Sequence, residues 1–318
     1  ATSTGWIGAL QAHTELGITG AGVTVGVIDT GIDYTHKMFG GAGTEEAFEA
    51  NNPDFVEEGS FPTEKVVGGI DLVGQQYNAA SPDFNQHVPK EDGDPLDDGS
   101  HGTHVAGTVA GIGDGVNTYT GVAPDAKLHA IKVFGADGST GDAVIIAALE
   151  YSADPNKDGD LADQLDVINL SLGSGYGTPH LLYSEAMKNL VDGGTLAVAS
   201  AGNSGHTSYI VGAPGTTTEA ISVAASIDNM GHNWKFDASR FNLPGGDEIL
   251  VEAVEASFAK PIEEAQELAG KLVFAGLATE PFDQELAGQV AGNVALIDRG
   301  AVAFCTKAEH AKAAGAIG

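Results

Sequence analysis

The segment "DDGSHGTHVAGTVAG" (97–111) sets His101 and His104 three residues apart, ahead of a run of small residues that reads as a helix. An imidazole at a helix start presents one ring nitrogen for proton transfer and offers the other to a carboxylate. Carboxylates stand at Asp29 and Asp33 in "VTVGVIDTGID", where an apolar run ends. Taken alone, either would serve equally as a turn or helix-cap residue. Asn203 in "ASAGNSG" closes another apolar run. Its amide suits hydrogen bonding to a developing oxyanion, or simply a turn. Ser171, Leu172 and Gly173 in "INLSLGSG" offer a backbone edge to an extended peptide.

Two competing chemistries fail on spacing. Asp29-Thr30-Gly31 would suit a carboxylate pair sharing one proton, but no second Asp-Thr-Gly or Asp-Ser-Gly occurs in the chain. The zinc-peptidase helix spaces its histidines four apart and adds a glutamate, and neither feature is present. A hard cation fares better. "DPNKDGDLADQLD" carries Asp154, Asn156, Asp158 and Asp160 at alternate positions, with Gly159 for a sharp turn. Such a loop converges oxygens on calcium. Its twelfth position is Leu165 rather than glutamate, so Asp163 or Asp166 must close the sphere.

The elements that position these residues read as α/β. "VTVGVI", "LHAIKVF", "DVINLSLG", "TLAVASAG" and "AISVAAS" are continuous apolar runs, the pattern of strands buried on both faces of a mainly parallel sheet. Candidate helices lie between them at about 101–112, 141–152 and 178–192. In such sheets functional groups gather beyond the carboxyl ends of the strands, which is where Asp29, Ser171 and Asn203 fall. The texture changes after about 227, so residues 1–227 and 228–318 are expected to be separate domains. "TKAEHAKAAGAIG" reads as a helix running into a glycine.

With 44 acidic against 14 basic residues, the formal net charge is −30, which repels nucleic acid and suits a well-solvated surface in a saline or extracellular setting. No apolar run approaches the roughly 18 residues of a membrane span. "ATSTGWIGAL" has neither the basic start nor the apolar core of a signal peptide and reads as the start of a mature chain. Cys305 is the single cysteine and is expected to be a small buried residue.

Together, "VIDTGID", "SHGTHVAGTVAG", "VINLSLG" and "SAGNSG" resemble the subtilisin-like serine proteases over roughly residues 1–226. The resemblance implies a three-layer α/β fold and a secreted, calcium-stabilised endopeptidase acting on proteins or peptides through an acyl-enzyme, with no nucleic-acid or membrane partner. It implies that Asp29 orients His101, that His101 is the general base and that Asn203 binds the oxyanion. His104 is then left a packing role. Ser171, Leu172 and Gly173 become one rim of the substrate cleft. Ser200, Ala201 and Gly202 become the other, with Gly212 near the base of a roomy pocket for large apolar or aromatic side chains. The tight calcium site common in bacterial subtilisins lacks its aspartate, whose position falls in "THKMFGG".

The family's Gly-Thr-Ser-Met-Ala nucleophile block is absent from these 318 residues. The serine is therefore expected on a continuation beyond Gly318 or on another chain, leaving this segment inactive alone. "GNVALIDRGAVAFCTKAEHAKAAGAIG", with Asp298, Arg299 and Gly300, resembles part of a protease-associated domain, an insert that some subtilases carry before the serine. The alternative from a different class is a non-catalytic relic that binds peptide or calcium. A dead site, however, has no chemical need of Asp29, His101 and Asn203 together.

Overall fold

In the computed structural model the described residues are 3–116, 119–136, 138–226, 237–242, 248–253, 270–298, 300 and 302–318. The chain divides into two compact units, Ala1–Gly231 and His232–Gly318.

The first unit is built on a six-stranded sheet of order β2-β3-β1-β4-β5-β6, in which every neighbouring pair is parallel. Its strands are β1 (Thr24–Asp29), β2 (Val66–Asp71), β3 (Lys127–Lys132), β4 (Val167–Leu170), β5 (Leu196–Ser200) and β6 (Ile221–Val223). The helices are α1 (Ser3–Trp6), α2 (Ala9–Leu16), α3 (Glu45–Glu49), α4 (His101–Ala110), α5 (Asp142–Ala153) and α6 (Ser184–Asp192). Alternate residues of the central strands serve different faces, as the twofold strand period requires. Val25 and Val27 of β1 and Leu128 and Ala130 of β3 pack with Ala106 and Ala110 of α4. Ile28 and Ile131 pack with Val144, Ile145, Ala148 and Leu149 of α5 and Met187 and Leu190 of α6. The result is three layers, with α4 on one face and α5 and α6 on the other.

The winding fixes where a site can form. After β1 the chain fills one side of the sheet with β2 and β3, joined across α4, then crosses β1 to lay down β4, β5 and β6 on the other. The reversal of direction beside β1 opens a crevice at the carboxyl ends of the strands. Asp29 is the last residue of β1.

Strand β2, "VVGGID", does not stand out in the sequence because two glycines interrupt it. Both are required by close approach to β3: a Cβ on Gly68 would lie 2.5 Å from the His129 ring, and one on Gly69 would lie 2.4 Å from the Ala130 carbonyl. The expected burial of "AISVAAS" is corrected. β6 is an edge strand, with Ile221 49% and Val223 51% exposed.

In the second unit, β7 (Asp237–Asn242) pairs antiparallel with β8 (Glu248–Ala253), and β9 (Leu272–Phe274) pairs parallel with β10 (Val294–Leu296). Two helices, α7 (Gln284–Val290) and α8 (Phe304–Ala313), complete its described elements. α8 matches the expected Ala-rich helix. Cys305 is exposed rather than buried, because α8 turns Lys307 and Ala311 inward instead. Asp298 and Gly300 are described; Arg299, between them, lies outside the described residues. No helix among the described residues is long and apolar enough to cross a membrane.

Candidate active site

The carboxylate that ends β1 and the imidazole that begins α4 meet directly. His101 Nδ1 lies 2.7 Å from Asp29 Oδ1. Asp29 is 1% exposed, whereas the His101 ring is 59% exposed. An ionised carboxylate only accepts hydrogen bonds, so Nδ1 is the donor and Nε2 is the ring nitrogen open to proton transfer. Burial pushes the Asp29 carboxyl above its usual range, while the donors His101 and the Thr30 amide, at 2.8 Å, act in the opposite direction. The other oxygen, Oδ2, is buried without a hydrogen-bond partner.

Local sequence explains how α4 comes so close. A Cβ on Gly102 would stand 2.2 Å from the Gly31 carbonyl, so only glycine lets the first turn press on the β1 exit. Gly31 itself has φ +111°, with the Pro95 carbonyl 2.5 Å from where a Cβ would be. Thr30 Oγ1 accepts the Gly102 amide at 2.8 Å. The helix start is not capped by its own N-cap residue, Ser100, which has φ +67°. Asp97 does that work from three residues before. Its Oδ1 accepts the Gly99 and Ser100 amides, and its Oδ2 accepts the Thr103 amide and hydroxyl. A carboxylate there also complements the helix dipole.

The remaining candidates lie along the same sheet edge. β4 neighbours β1, and β5 neighbours β4, so Ser171–Gly173 and Ser200–Asn203 leave the sheet one and two strands from Asp29, about 5 and 10 Å across. Gly173, φ +155°, leads into a bridge in which Ser174 and Ala213 exchange backbone hydrogen bonds of 3.0 and 3.1 Å. The Gly212 amide donates to the Ala201 carbonyl at 3.1 Å, and a Cβ there would meet the Ser174 carbonyl at 2.8 Å. Segments following β4 and β5 are thereby drawn together through Gly212. Ser200 Oγ accepts the Gly202 amide at 3.0 Å, Gly202 takes φ +96°, and Asn203 is exposed in the turn that follows. Asp33 is a turn residue, accepting from the Thr35 amide and hydroxyl.

His104 does not pack. Gly102, Ala106 and Ala110 form the buried stripe of α4, which leaves His101, His104 and Thr108 on its open side. His104 faces a cavity of about 740 Å³ that also touches His36, Met38 and Tyr119.

In the acidic loop, the carboxylate of Asp154 accepts the Asp158 and Gly159 amides, Asn156 Oδ1 the Asp158 amide, Asp158 Oδ1 the Asp160 amide and Asp160 Oδ1 the Ala162 amide. Gly159 takes φ +83°. Asp166 is committed to Thr24, at 2.8 and 2.9 Å. Asp163 accepts the Asn156 amide through Oδ2, and its Oδ1 is buried and unpartnered. The loop is held by these side-chain-to-amide hydrogen bonds, and Asp163 Oδ1 is its one buried oxygen without a hydrogen-bond partner among the described residues. No three side chains of His, Cys, Asp or Glu converge as a metal cluster among the described residues.

A family model described as the subtilase family matches residues 20–303. The chain belongs to the subtilase family. It is 36% identical, over 98% of its length, to "Minor extracellular protease Vpr" of Bacillus subtilis (strain 168), covering 32% of that protein. It is 30% identical over 94% of its length to the PII-type proteinase of Lacticaseibacillus paracasei, covering 16%. Subtilisin DY of Bacillus licheniformis is 34% identical over 67% of the chain, which covers 60% of it. This subtilase chain thus spans about a third of the first relative's length and about a sixth of the second's.

Sequence reading of this subtilase passed over Thr30, Asp97 and Lys132. Lys132 ends β3, wholly buried, in register with Asp29 on one side and Asp71 on the other. Only "DDGSHG", an aspartate close before a helix start, hinted at one of the three, as a cap. Asp71, also wholly buried, accepts the Val73 and Gly74 amides on Oδ1. Burial lifts its carboxyl to about 7 from 3.8, against those amides and Lys132. Because the folded value lies above the unfolded one, its contribution to stability is full below about pH 4 and declines as the pH rises to about 7. Asp71→Asn keeps the accepting oxygen and removes the titration, so the variant should gain on the parent between pH 4 and 7 in urea unfolding. Parallel stability profiles would contradict this.

Proposed function

We propose that this chain carries the acid–base and oxyanion groups of a secreted serine endopeptidase whose nucleophilic serine comes from residues outside these 318. The single observation behind the reading is the 2.7 Å contact between buried Asp29 and exposed His101 at the sheet's switch point. The similarity to the relative named "Minor extracellular protease Vpr" agrees with it. Asp29 holds the imidazole in the Nδ1–H tautomer and steadies the imidazolium. His101 Nε2 takes the serine proton as the oxygen attacks the scissile carbonyl, then returns it to the leaving amine, and a water repeats the sequence to hydrolyse the acyl-enzyme. The Asn203 amide donates to the tetrahedral oxyanion, worth about 3 kcal/mol when preorganised.

Substrate chain runs between Ser171–Gly173 and Ser200–Gly202. The small residues there and at Gly212 favour a large apolar or aromatic side chain before the scissile bond. The exposed edge formed by Ile221 and Val223 supports packing of further polypeptide beside β6. We read residues 1–227 as the N-terminal part of the catalytic domain and 228–318 as part of a protease-associated domain that influences substrate access.

Asp154, Asn156, Asp158, Asp160 and Asp163 would hold calcium. When bound, its charge offsets the crowded carboxylates and stiffens the approach to β4.

In the polypeptide that includes the serine, His101→Ala should lower kcat for a peptide substrate by about 10⁴-fold or more, and undiminished hydrolysis would overturn the assignment. The 318-residue segment alone should be inactive. Removing calcium with a chelator should lower the melting temperature. A site held at a hundred times its Kd contributes about 2.7 kcal/mol, so an unchanged melting curve would remove the calcium assignment.

A further inference from the structure

We propose that Lys132 is a positioning residue for the Asp29–His101 pair, its ammonium clamping the strand exit that bears the carboxylate to the loop that leads into the helix bearing the imidazole. The proposal rests on the proteolytic reading of this site.

A lysine with no exposed surface is unusual, because an ammonium taken out of water costs several kcal/mol unless it is paired and hydrogen-bonded. Lys132 is placed by register. β3 lies between β2 and β1, and Lys132 stands level with Asp71 and Asp29 at the carboxyl ends of the three strands. By the twofold period it projects to the same face as Leu128 and Ala130, the face covered by α4.

Its two hydrogen bonds end on different elements. Nζ donates to the Thr30 carbonyl at 3.2 Å and to Asp98 Oδ1 at 3.0 Å. Thr30 is the residue whose amide bonds Asp29 and whose hydroxyl accepts the Gly102 amide. Asp98 follows the cap residue Asp97 and precedes His101 by three positions. The ammonium therefore ties the residue after the carboxylate to the loop that delivers the imidazole. Proton transfer by His101 depends on that spacing, and a displacement of about 1 Å costs about a hundredfold in rate.

The Asp98 side chain is 26% exposed, so changing it cuts the loop link without leaving a cavity in the core. In the polypeptide that includes the serine, Asp98→Ala and Lys132→Met should each lower kcat by about tenfold or more with KM changed by less than about twofold. Asp98→Asn, which keeps an accepting oxygen, should recover most of the loss. The double variant Asp98→Ala/Lys132→Met should lose less than the product of the two single losses, since both cut the same link. Should Lys132→Met fail to fold, the Asp98 series decides alone. An Asp98→Ala protein that folds with unchanged kcat, or equal losses for Ala and Asn, would overturn the role. Measured alongside, His101→Ala separates the two failures: an active His101→Ala protein sinks the proteolytic reading, whereas an inactive one beside a fully active Asp98→Ala protein sinks only the clamp.

Discussion

The first unit is arranged around one hydrogen bond, between a carboxylate at the end of a strand and an imidazole at the start of a helix. Asp29 and His101 are 72 residues apart in sequence and belong to different layers. Bringing them to 2.7 Å requires that β1 lie inside the sheet, that α4 cover the correct face and that α4's first turn reach the strand exit without a side chain between. The parallel winding meets the first two conditions. Glycine at 102 and at 31 meets the third.

The interaction gains its chemical meaning from the difference in burial between its partners. Asp29 is sealed from water and constrained by a backbone amide, so its direction is fixed and its field is weakly screened. His101 keeps most of its ring open. A buried orienting group and an accessible proton-transfer group are what the proposed general base requires, and the residue proposed as oxyanion donor, Asn203, follows β5, two strands from β1 in the same sheet. The helix start pointing into this crevice is held by Asp97, whose carboxylate satisfies two amides in the turn ahead of it and the amide and hydroxyl of Thr103 in its first turn.

The strands are legible in the sequence because β1, β3, β4 and β5 are short continuous hydrophobic stretches, and the Asp29 that meets His101 stands where the first of them stops. The proposed site residues Ser171 and Asn203 follow the ends of β4 and β5. α4 began at His101 as read, since Ala and Gly at helical spacing signal a helix packed close to a sheet. β2 was hidden because its glycines answer to His129 and Ala130, neighbours that sequence periodicity cannot reveal. Lys132 was passed over for a related reason: a lysine ending an apolar strand looks like a solvated terminus until register places it between two aspartates. His104 and β6 were misjudged because residue type alone does not say which side of an element remains uncovered.

On the proposed reading Asp29 fixes the tautomer of His101, which the nitrogen resonances of the imidazole in the NMR spectrum report. A neutral ring protonated at Nδ1 is expected, with that preference lost in Asp29→Ala. A ring protonated at Nε2, or one that Asp29→Ala leaves unchanged, would contradict it.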